Sequence, residues 1–132
     1  MRLRRFAGIV LLLGASCAPA ADAANRTVVI RVEHSRFMPS ELSIPAGTTV
    51  RFVVDNRDPI DHELIVGPQD VQDRHEQGTE AHHGERPGEI SVPAGARRST
   101  TYSFMDPGTV LFGCHLPGHY AYGMKGTITV TG

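Results

Sequence analysis

The feature that most constrains this chain is a series of short runs in which apolar and polar residues alternate, separated by Gly- and Pro-rich turns. In the segment 27–33, TVVIRVE, residues Val28, Ile30 and Val32 would lie on one face of a strand. Similar segments recur at 42–44, 48–55, 62–66, 89–92, 98–104, 109–114 and 126–131. About eight short strands without a long helical period predict an all-β fold, an antiparallel sandwich or barrel.

Two identical Pro-Ala-Gly triplets, at 45–47 and 93–95, predict tight reversals between strands, because glycine accepts the positive φ that such turns require. The apolar strand positions predict a single modest core. Its expected members are Val28, Ile30, Val32, Phe37, Val50, Phe52, Val54, Leu64, Tyr102, Phe104, Leu111, Ile128 and Val130.

One segment, 67–88, lacks strand periodicity and is almost entirely polar, with Val71 as its only large aliphatic residue. This composition predicts a long polar loop insertion at the edge of the sandwich, with one helical turn near 71–76. The loop carries His75, His82 and His83 beside several carboxylates. A loose second metal site is one interpretation, and a solvated loop is the favoured one.

The first residues predict an export signal rather than part of the fold. Three arginines at positions 2, 4 and 5 precede an apolar run at 6–13, and small residues follow, so we expect a signal peptide over 1–23 and one domain over 25–132. The run is far shorter than the roughly 20 residues that span a bilayer, so no membrane span is expected. The predicted location is the periplasm or another exported compartment.

Cys17 raises the alternative of a lipid anchor, which is disfavoured because Gly14 stands where a lipoprotein signal usually has a large aliphatic residue. Removal of Cys17 with the signal would leave Cys114 as the only thiol, so no disulfide could form within the chain.

The formal net charge is −1 and Lys125 is the only lysine. This balance gives no support for nucleic-acid binding.

The segment FGCHLPGHYAYGMKG, 112–126, contains Cys114, His119 and Met124, and His62 begins a separate apolar strand. A thiolate and two imidazoles in a trigonal arrangement, with a weak axial thioether, form the ligand set of an electron-transfer copper site. The Leu-Pro-Gly sequence at 116–118 supplies the turn that such a loop needs between its first two ligands.

Two longer segments resemble the cupredoxins, the small blue copper proteins that include auracyanin, rusticyanin, azurin and plastocyanin. These segments are PSELSIPAGTTVRFVVDNRDPIDHELIV at 39–66 and CHLPGHYAYGMKGTITV at 114–130. The resemblance implies a Greek-key β-sandwich that holds one type 1 copper ion through His62, Cys114, His119 and Met124. The loop spacing is most similar to that of auracyanin and rusticyanin.

The sequence departs from the family at Glu63, where many members have Asn or Ser after the first histidine. An ionised carboxylate cannot donate the hydrogen bond of an amide, so the link between the two ligand loops should differ here. His115 is the other unusual residue. The favoured interpretation places it on the outer side of the strand, opposite to Cys114.

His115 also suggests a multicopper oxidase, in which a His-Cys-His motif leads to a three-copper cluster. Here Gly113 replaces the first histidine, and none of the chain's seven histidines forms a His-x-His pair. We therefore do not expect an enzyme.

Met38 and Met105 are further candidates for a thioether ligand, but we expect them to fill the core.

The expected function is electron transfer by an exported, monomeric protein that cycles copper between Cu(II) and Cu(I). Redox partner proteins would dock weakly and transiently near His119, on a ring formed by Leu116, Pro117 and Tyr120. The alternative is a periplasmic copper-binding protein for copper tolerance or delivery.

Overall fold

The computed structural model describes residues 25–78 and 86–132, so the predicted signal peptide, His82 and His83 lie outside the described residues. The described part contains nine strands and two short helices. In chain order they are β1 (Arg26–Glu33), β2 (Arg36–Met38), β3 (Glu41–Pro45), β4 (Thr48–Asn56), β5 (His62–Gly67), α1 (Gln69–Glu76), β6 (Glu89–Val92), β7 (Arg97–Phe104), β8 (Gly108–Gly113), α2 (His119–Tyr122) and β9 (Lys125–Thr131).

The strands form two sheets, a four-stranded sheet in the order β2-β1-β4-β7 and a five-stranded sheet in the order β3-β9-β8-β5-β6. The predicted sandwich is confirmed, and the sheets do not close into a barrel. The expectation of purely antiparallel pairing was wrong, because β1 pairs with β4 and β3 with β9 in parallel. Alternation within a strand reveals its buried face but not its partner, so these long-range pairings left no local signal.

The core lies between the two sheets and contains most of the predicted residues. Val28, Tyr102 and Leu111 are only partly buried, and the other predicted positions are buried. Two methionines behave differently from the prediction, since Met38 is 41% exposed and Met105 68% exposed, so neither fills the core. Residues that the prediction omitted also contribute: Ile44, Ile65, Val66, Ile90, Val92, Phe112, Cys114 and Met124.

Both Pro-Ala-Gly triplets form the predicted turns. Gly47 has a φ of 76° and Gly95 a φ of 66°, values that residues with a Cβ rarely adopt. The two turns reverse the chain before β4 and before β7. These two strands pair with each other from Thr48 opposite Phe104 to Asp55 opposite Arg97. This pairing fixes the sheet against which the ligand-bearing sheet packs.

Helix α1 lies where the sequence predicted one helical turn, near 71–76, but it is longer than predicted, since the eight residues Gln69–Glu76 are helical. A buried amide rather than an apolar face anchors the helix: Gln72 is 1% exposed, and its amide nitrogen lies 3.2 to 3.4 Å from the carbonyl oxygens of Ile65, Gly67 and Leu111. A helix held in this way has little apolar periodicity to reveal it.

Within the described ranges, no helix is long and apolar enough to cross a membrane.

Three adjacent strands of the five-stranded sheet bring the predicted ligands to one end of the molecule. β5 runs antiparallel to β8, with Ile65 opposite Gly113, and β8 runs antiparallel to β9. His62 begins β5, Cys114 directly follows β8, and Met124 directly precedes β9. The sheet register therefore places residues from distant parts of the sequence side by side.

We predict that Gly126→Ala destabilises the protein by about 1 to 3 kcal/mol, a typical cost of overpacking. A Cβ at this position in β9 would collide with the Phe112 ring and with the carbonyl oxygen of Ser40. Chemical denaturation of the metal-free protein would measure the loss. Gly132→Ala is the control, because its new Cβ would make only an ordinary contact with Pro107. Equal stability of the two variants would contradict the predicted packing.

Candidate metal centre

His62 is held in a fixed position by the loop that precedes it. The ring is buried, with the residue 1% exposed. Asn56, at the end of β4, organises this loop: its side-chain nitrogen lies 2.9 Å from the carbonyl oxygen of Ile60 and 3.1 and 3.0 Å from those of Val92 and Pro93. The loop is thus fastened to the end of β6, next to the strand that His62 begins.

Asp58 contacts the His62 ring directly, with 2.9 Å between Asp58 Oδ2 and His62 Nε2. The Asp58 carboxylate also accepts hydrogen bonds from the backbone N–H groups of His34 and Ser35, at 2.7 and 2.8 Å. Burial raises the pKa of Asp58, but hydrogen bonds from Ser35, His34 and His62 outweigh this effect and hold it below its ordinary value. The carboxylate is therefore ionised at neutral pH.

The loop between β8 and β9 holds Cys114, His119 and Met124 through its own backbone. The Cys114 N–H donates to the Met124 carbonyl oxygen at 3.1 Å, and the Met124 N–H donates to the His119 carbonyl oxygen at 3.0 Å. Gly118 and Gly123, with φ of 80° and 103°, flank the single turn of α2. The predicted glycine turn at 118 is confirmed, and these backbone hydrogen bonds close the loop.

Three of the four predicted ligands come together. One donor atom from each of His62, Cys114 and His119 lies within 4.8 Å of the other two, and no other such group of three histidine, cysteine or carboxylate donors occurs in the described part of the chain. The Cys114 sulfur lies 3.3 Å from His119 Nδ1, and the two imidazole rings are 5.0 Å apart between centroids. Met124 is fully buried, and its backbone is hydrogen-bonded to those of Cys114 and His119. Its role as an axial ligand stays a prediction.

The donor atoms have the chemistry that a metal ion needs. His62 Nδ1 is buried, and no residue in the described ranges forms a hydrogen bond with it, although a buried polar atom normally has a partner. Burial lowers the pKa of His119 and the adjacent His62 ring lowers it further, an effect that Asp58 opposes, so the His119 ring is neutral and can donate a lone pair. One soft sulfur and two imidazole nitrogens suit copper.

Cys114 is fully buried, and burial raises the pKa of its thiol to about 12. Hydrogen bonds from the backbone N–H groups of Leu116 and Glu63 lower it in part, whereas the charges of Glu63 and Glu76 raise it. The metal-free protein therefore holds a neutral thiol at neutral pH. A metal cation must displace this proton, which links metal binding to pH.

Glu63 connects the two ligand-bearing segments in a way that the sequence did not predict. The residue is 2% exposed, and its Oε1 accepts a hydrogen bond from the backbone N–H of His115 at 2.8 Å. The carboxylate cannot act as an amide donor, yet it links the strand of His62 to the loop of Cys114 as an acceptor. The two segments are therefore linked, but Glu63 accepts the hydrogen bond, whereas an amide at this position would donate one.

His115, which was predicted to lie on the outer side of the strand, is covered there by α1. Its side chain is 2% exposed, with Nδ1 2.7 Å from Glu76 Oε2 and Nε2 2.8 Å from Gln72 Oε1. Its ring stacks on Tyr120 with 4.5 Å between centroids. The Tyr120 ring also lies against Gly113, where a Cβ would come within 2.6 Å of it. Tyr120 and His115 thus join α1 to the ligand loop.

His75, one of the histidines of the predicted polar loop, lies on α1. Its Nδ1 donates to the carbonyl oxygen of Val71 at 2.8 Å, and its Nε2 is 3.5 Å from Glu89 Oε1. The helix therefore fixes this ring, which the favoured interpretation had placed in a solvated loop. The predicted second metal site also involved His82 and His83, which the structure does not describe.

Comparison with known proteins agrees with this geometry. Residues 6–130 match the model of the cupredoxin-like domain family. The copper-resistant cuproprotein CopI of Rubrivivax gelatinosus is 36% identical over 115 residues, which cover 83% of this chain and 69% of that protein. The chain belongs to the cupredoxin family.

Auracyanin provides a second comparison. Auracyanin-B of Chloroflexus aurantiacus is 34% identical over 110 residues, which cover 72% of this chain but only about half (47%) of that protein. The solved structure of auracyanin B superimposes with a TM-score of 0.70 at 29% identity, covering 84% of this chain and 92% of that chain. The resemblance seen in the sequence is confirmed, and it extends to the whole sandwich.

We predict that the Cys114 thiol of the metal-free folded protein titrates near pH 12. The unfolded chain loses this proton near the ordinary value of 9.0, so the contribution of Cys114 to stability is complete below pH 9 and is lost as the pH rises toward 12. The ultraviolet absorbance of the thiolate, measured against pH as the difference between the protein and Cys114→Ser, would report the titration. The difference in unfolding free energy between the protein and Cys114→Ser should change over the same interval. A folded-state titration near pH 9 would contradict the prediction.

Proposed function

We propose that this protein is an exported electron carrier that binds one copper ion through His62, Cys114, His119 and Met124. The observation that carries the proposal is the convergence of three buried or half-buried donors, one thiol and two imidazoles, in a chain of the cupredoxin family. Copper, when bound, supplies a one-electron couple between Cu(II) and Cu(I). The protein's contribution is the fixed geometry that both oxidation states share.

The chain's own residues keep this geometry rigid. Asp58 fixes the His62 ring, the Leu116 and Glu63 N–H groups point at the Cys114 sulfur, and the backbone of Met124 is bonded to Cys114 and His119. Because Cys114 and Met124 are fully buried, water is kept away from the sulfur donors. A site that needs little rearrangement favours fast electron transfer.

His119 is the proposed exit for the electron. Of the three clustered residues it is the one that reaches the surface, since His62 and Cys114 are buried. Pro117 and Gly118 beside it are exposed, and Leu116 packs partly against the core. A small, largely uncharged surface of this kind suits weak, transient docking of a redox partner.

We predict that the copper-loaded protein absorbs strongly in the visible region through thiolate-to-copper charge transfer, and that Cys114→Ala abolishes the band. Met124→Leu should retain the band and raise the reduction potential, because it removes an axial donor. Absorption spectra and cyclic voltammetry would measure both effects. A colourless copper complex of the unaltered protein would overturn the proposed function, and loss of all copper in Met124→Leu would overturn the axial assignment.

The second candidate is copper handling for tolerance or delivery, and the likeness to a protein named copper-resistant cuproprotein CopI favours it. The same centre could then serve to bind copper rather than to pass electrons to a partner. The histidines at 75, 82 and 83 would supply additional binding capacity. The two functions differ in how many copper ions the protein holds.

We predict a stoichiometry of one tightly bound copper ion for the electron carrier. Equilibrium dialysis followed by elemental analysis would count the ions, with the double variant His82→Ala and His83→Ala as the test and His34→Ala as the control. Two or more ions in the unaltered protein, with loss of the additional ion only in the double variant, would favour copper handling.

A further inference from the structure

Asp58 is a buried carboxylate whose oxygens are both occupied by N–H groups. It is 7% exposed and lies four residues before His62, in the loop between β4 and β5. Oδ1 accepts from the His34 N–H at 2.7 Å, and Oδ2 accepts from the Ser35 N–H at 2.8 Å and lies 2.9 Å from His62 Nε2. Its own N–H donates to Asn56 Oδ1 at 3.0 Å. The side chain therefore cannot turn without breaking several hydrogen bonds.

These contacts determine which nitrogen of the His62 ring carries hydrogen. An ionised carboxylate only accepts hydrogen bonds, so Nε2 must be the donor in the contact with Asp58. A neutral imidazole with hydrogen on Nε2 has its lone pair on Nδ1. Nδ1 is the buried atom that lacks a hydrogen-bond partner in the described ranges, and its ring neighbours His119. The contact with Asp58 thus directs the lone pair of His62 into the donor cluster.

The turn between β1 and β2, whose N–H groups bind the Asp58 carboxylate, has a strained backbone. His34 and Ser35 have φ of 53° and 52°, and two successive non-glycine residues in the left-handed region are costly, of order 1 to 3 kcal/mol each. This conformation aims two successive N–H groups at one carboxylate, an arrangement that favours an anion. The turn belongs to the four-stranded sheet, whereas His62 belongs to the five-stranded sheet. Asp58 therefore joins the two sheets at the metal end of the sandwich.

We propose that Asp58 is a positioning residue that fixes the tautomer of His62 and lowers the reduction potential of the site. The inference rests on the proposed copper centre. A negative carboxylate hydrogen-bonded to a ligand ring makes that ring a stronger donor, and outer partners of this kind typically change metal affinity 10- to 100-fold. The stronger donor and the added negative charge stabilise Cu(II) more than Cu(I), which shifts the potential downward.

The first measurement uses the metal-free protein without substitution. Long-range proton–nitrogen NMR correlations of the isotopically labelled protein, followed over a pH series, should show that the neutral His62 ring has hydrogen on Nε2 and none on Nδ1. A neutral ring with hydrogen on Nδ1 and none on Nε2 would overturn the proposal. This result does not depend on copper, so it still tests Asp58 if the proposed function fails, and it does not depend on the folding of any variant.

The second measurement compares Asp58→Asn with Asp61→Asn in the copper-loaded protein. An amide in place of Asp58 has a single acceptor oxygen and no charge, so it cannot serve both N–H groups of the turn and the His62 ring. Asp61 lies in the same loop, carries the same charge and also accepts one backbone N–H, that of Ala94 at 2.8 Å, but it is exposed. The control therefore matches the loss of charge and of a loop hydrogen bond.

Asp58→Asn should favour Cu(I) over Cu(II) by about tenfold relative to the unaltered protein, which corresponds to a rise of about 59 mV for one electron. Asp61→Asn should shift the potential far less. A coloured centre whose potential changes equally in the two variants would overturn the proposal while leaving the proposed function intact. A colourless centre in the unaltered protein would overturn the proposed function, and the NMR result would then decide the role of Asp58.

Discussion

The structure of the metal end depends on one hydrogen bond between distant segments, from the backbone N–H of His115 to the carboxylate of Glu63. β5 carries His62 and Glu63, and the loop after β8 carries Cys114 and His115, so this bond, together with the pairing of β5 with β8, sets the distance between the first and second ligands. An unpaired N–H or carboxylate at this depth would be costly, which makes the pairing obligatory in the folded state. The sulfur of Cys114 then lies where the Glu63 and Leu116 N–H groups can reach it. The rest of the centre is built around that sulfur.

Polar contacts rather than apolar packing complete the surroundings of the centre. Gln72 anchors α1 to the carbonyl oxygens of two strands. The amide oxygen of the same side chain forms a hydrogen bond with Nε2 of His115. On the other side, Asp58 joins the His62 ring to the turn between β1 and β2. Buried polar groups that are fully hydrogen-bonded specify one arrangement, because any alternative leaves some of them unpaired. The segments that carry the ligands are therefore held in place by the protein's own hydrogen bonds.

The sequence predicted the parts of the structure that depend on local pattern or on residue type. Alternation located the strands, the Pro-Ala-Gly triplets located two turns, and the spacing of Cys114, His119 and Met124 located the ligand loop. It did not predict the parallel pairing of β1 with β4, because no local pattern encodes a partner far along the chain. It predicted only one turn of α1, whose anchor is a glutamine, and consequently did not predict the burial of His115. The sequence analysis did not single out Asp58, one of two acidic residues in its loop, although its position four residues before His62 was an available signal.

The edges of the two sheets have a consequence for the behaviour of the protein at high concentration. The outer strands β2, β3 and β6 have three, five and four residues, and a proline ends β3 or closely follows the other two. Proline offers no N–H for a further strand, and short edges give an incoming chain little to pair with. The remaining edge, β7, begins with two arginines, which repel an identical edge. We expect such edges to resist strand-to-strand aggregation even at high protein concentration.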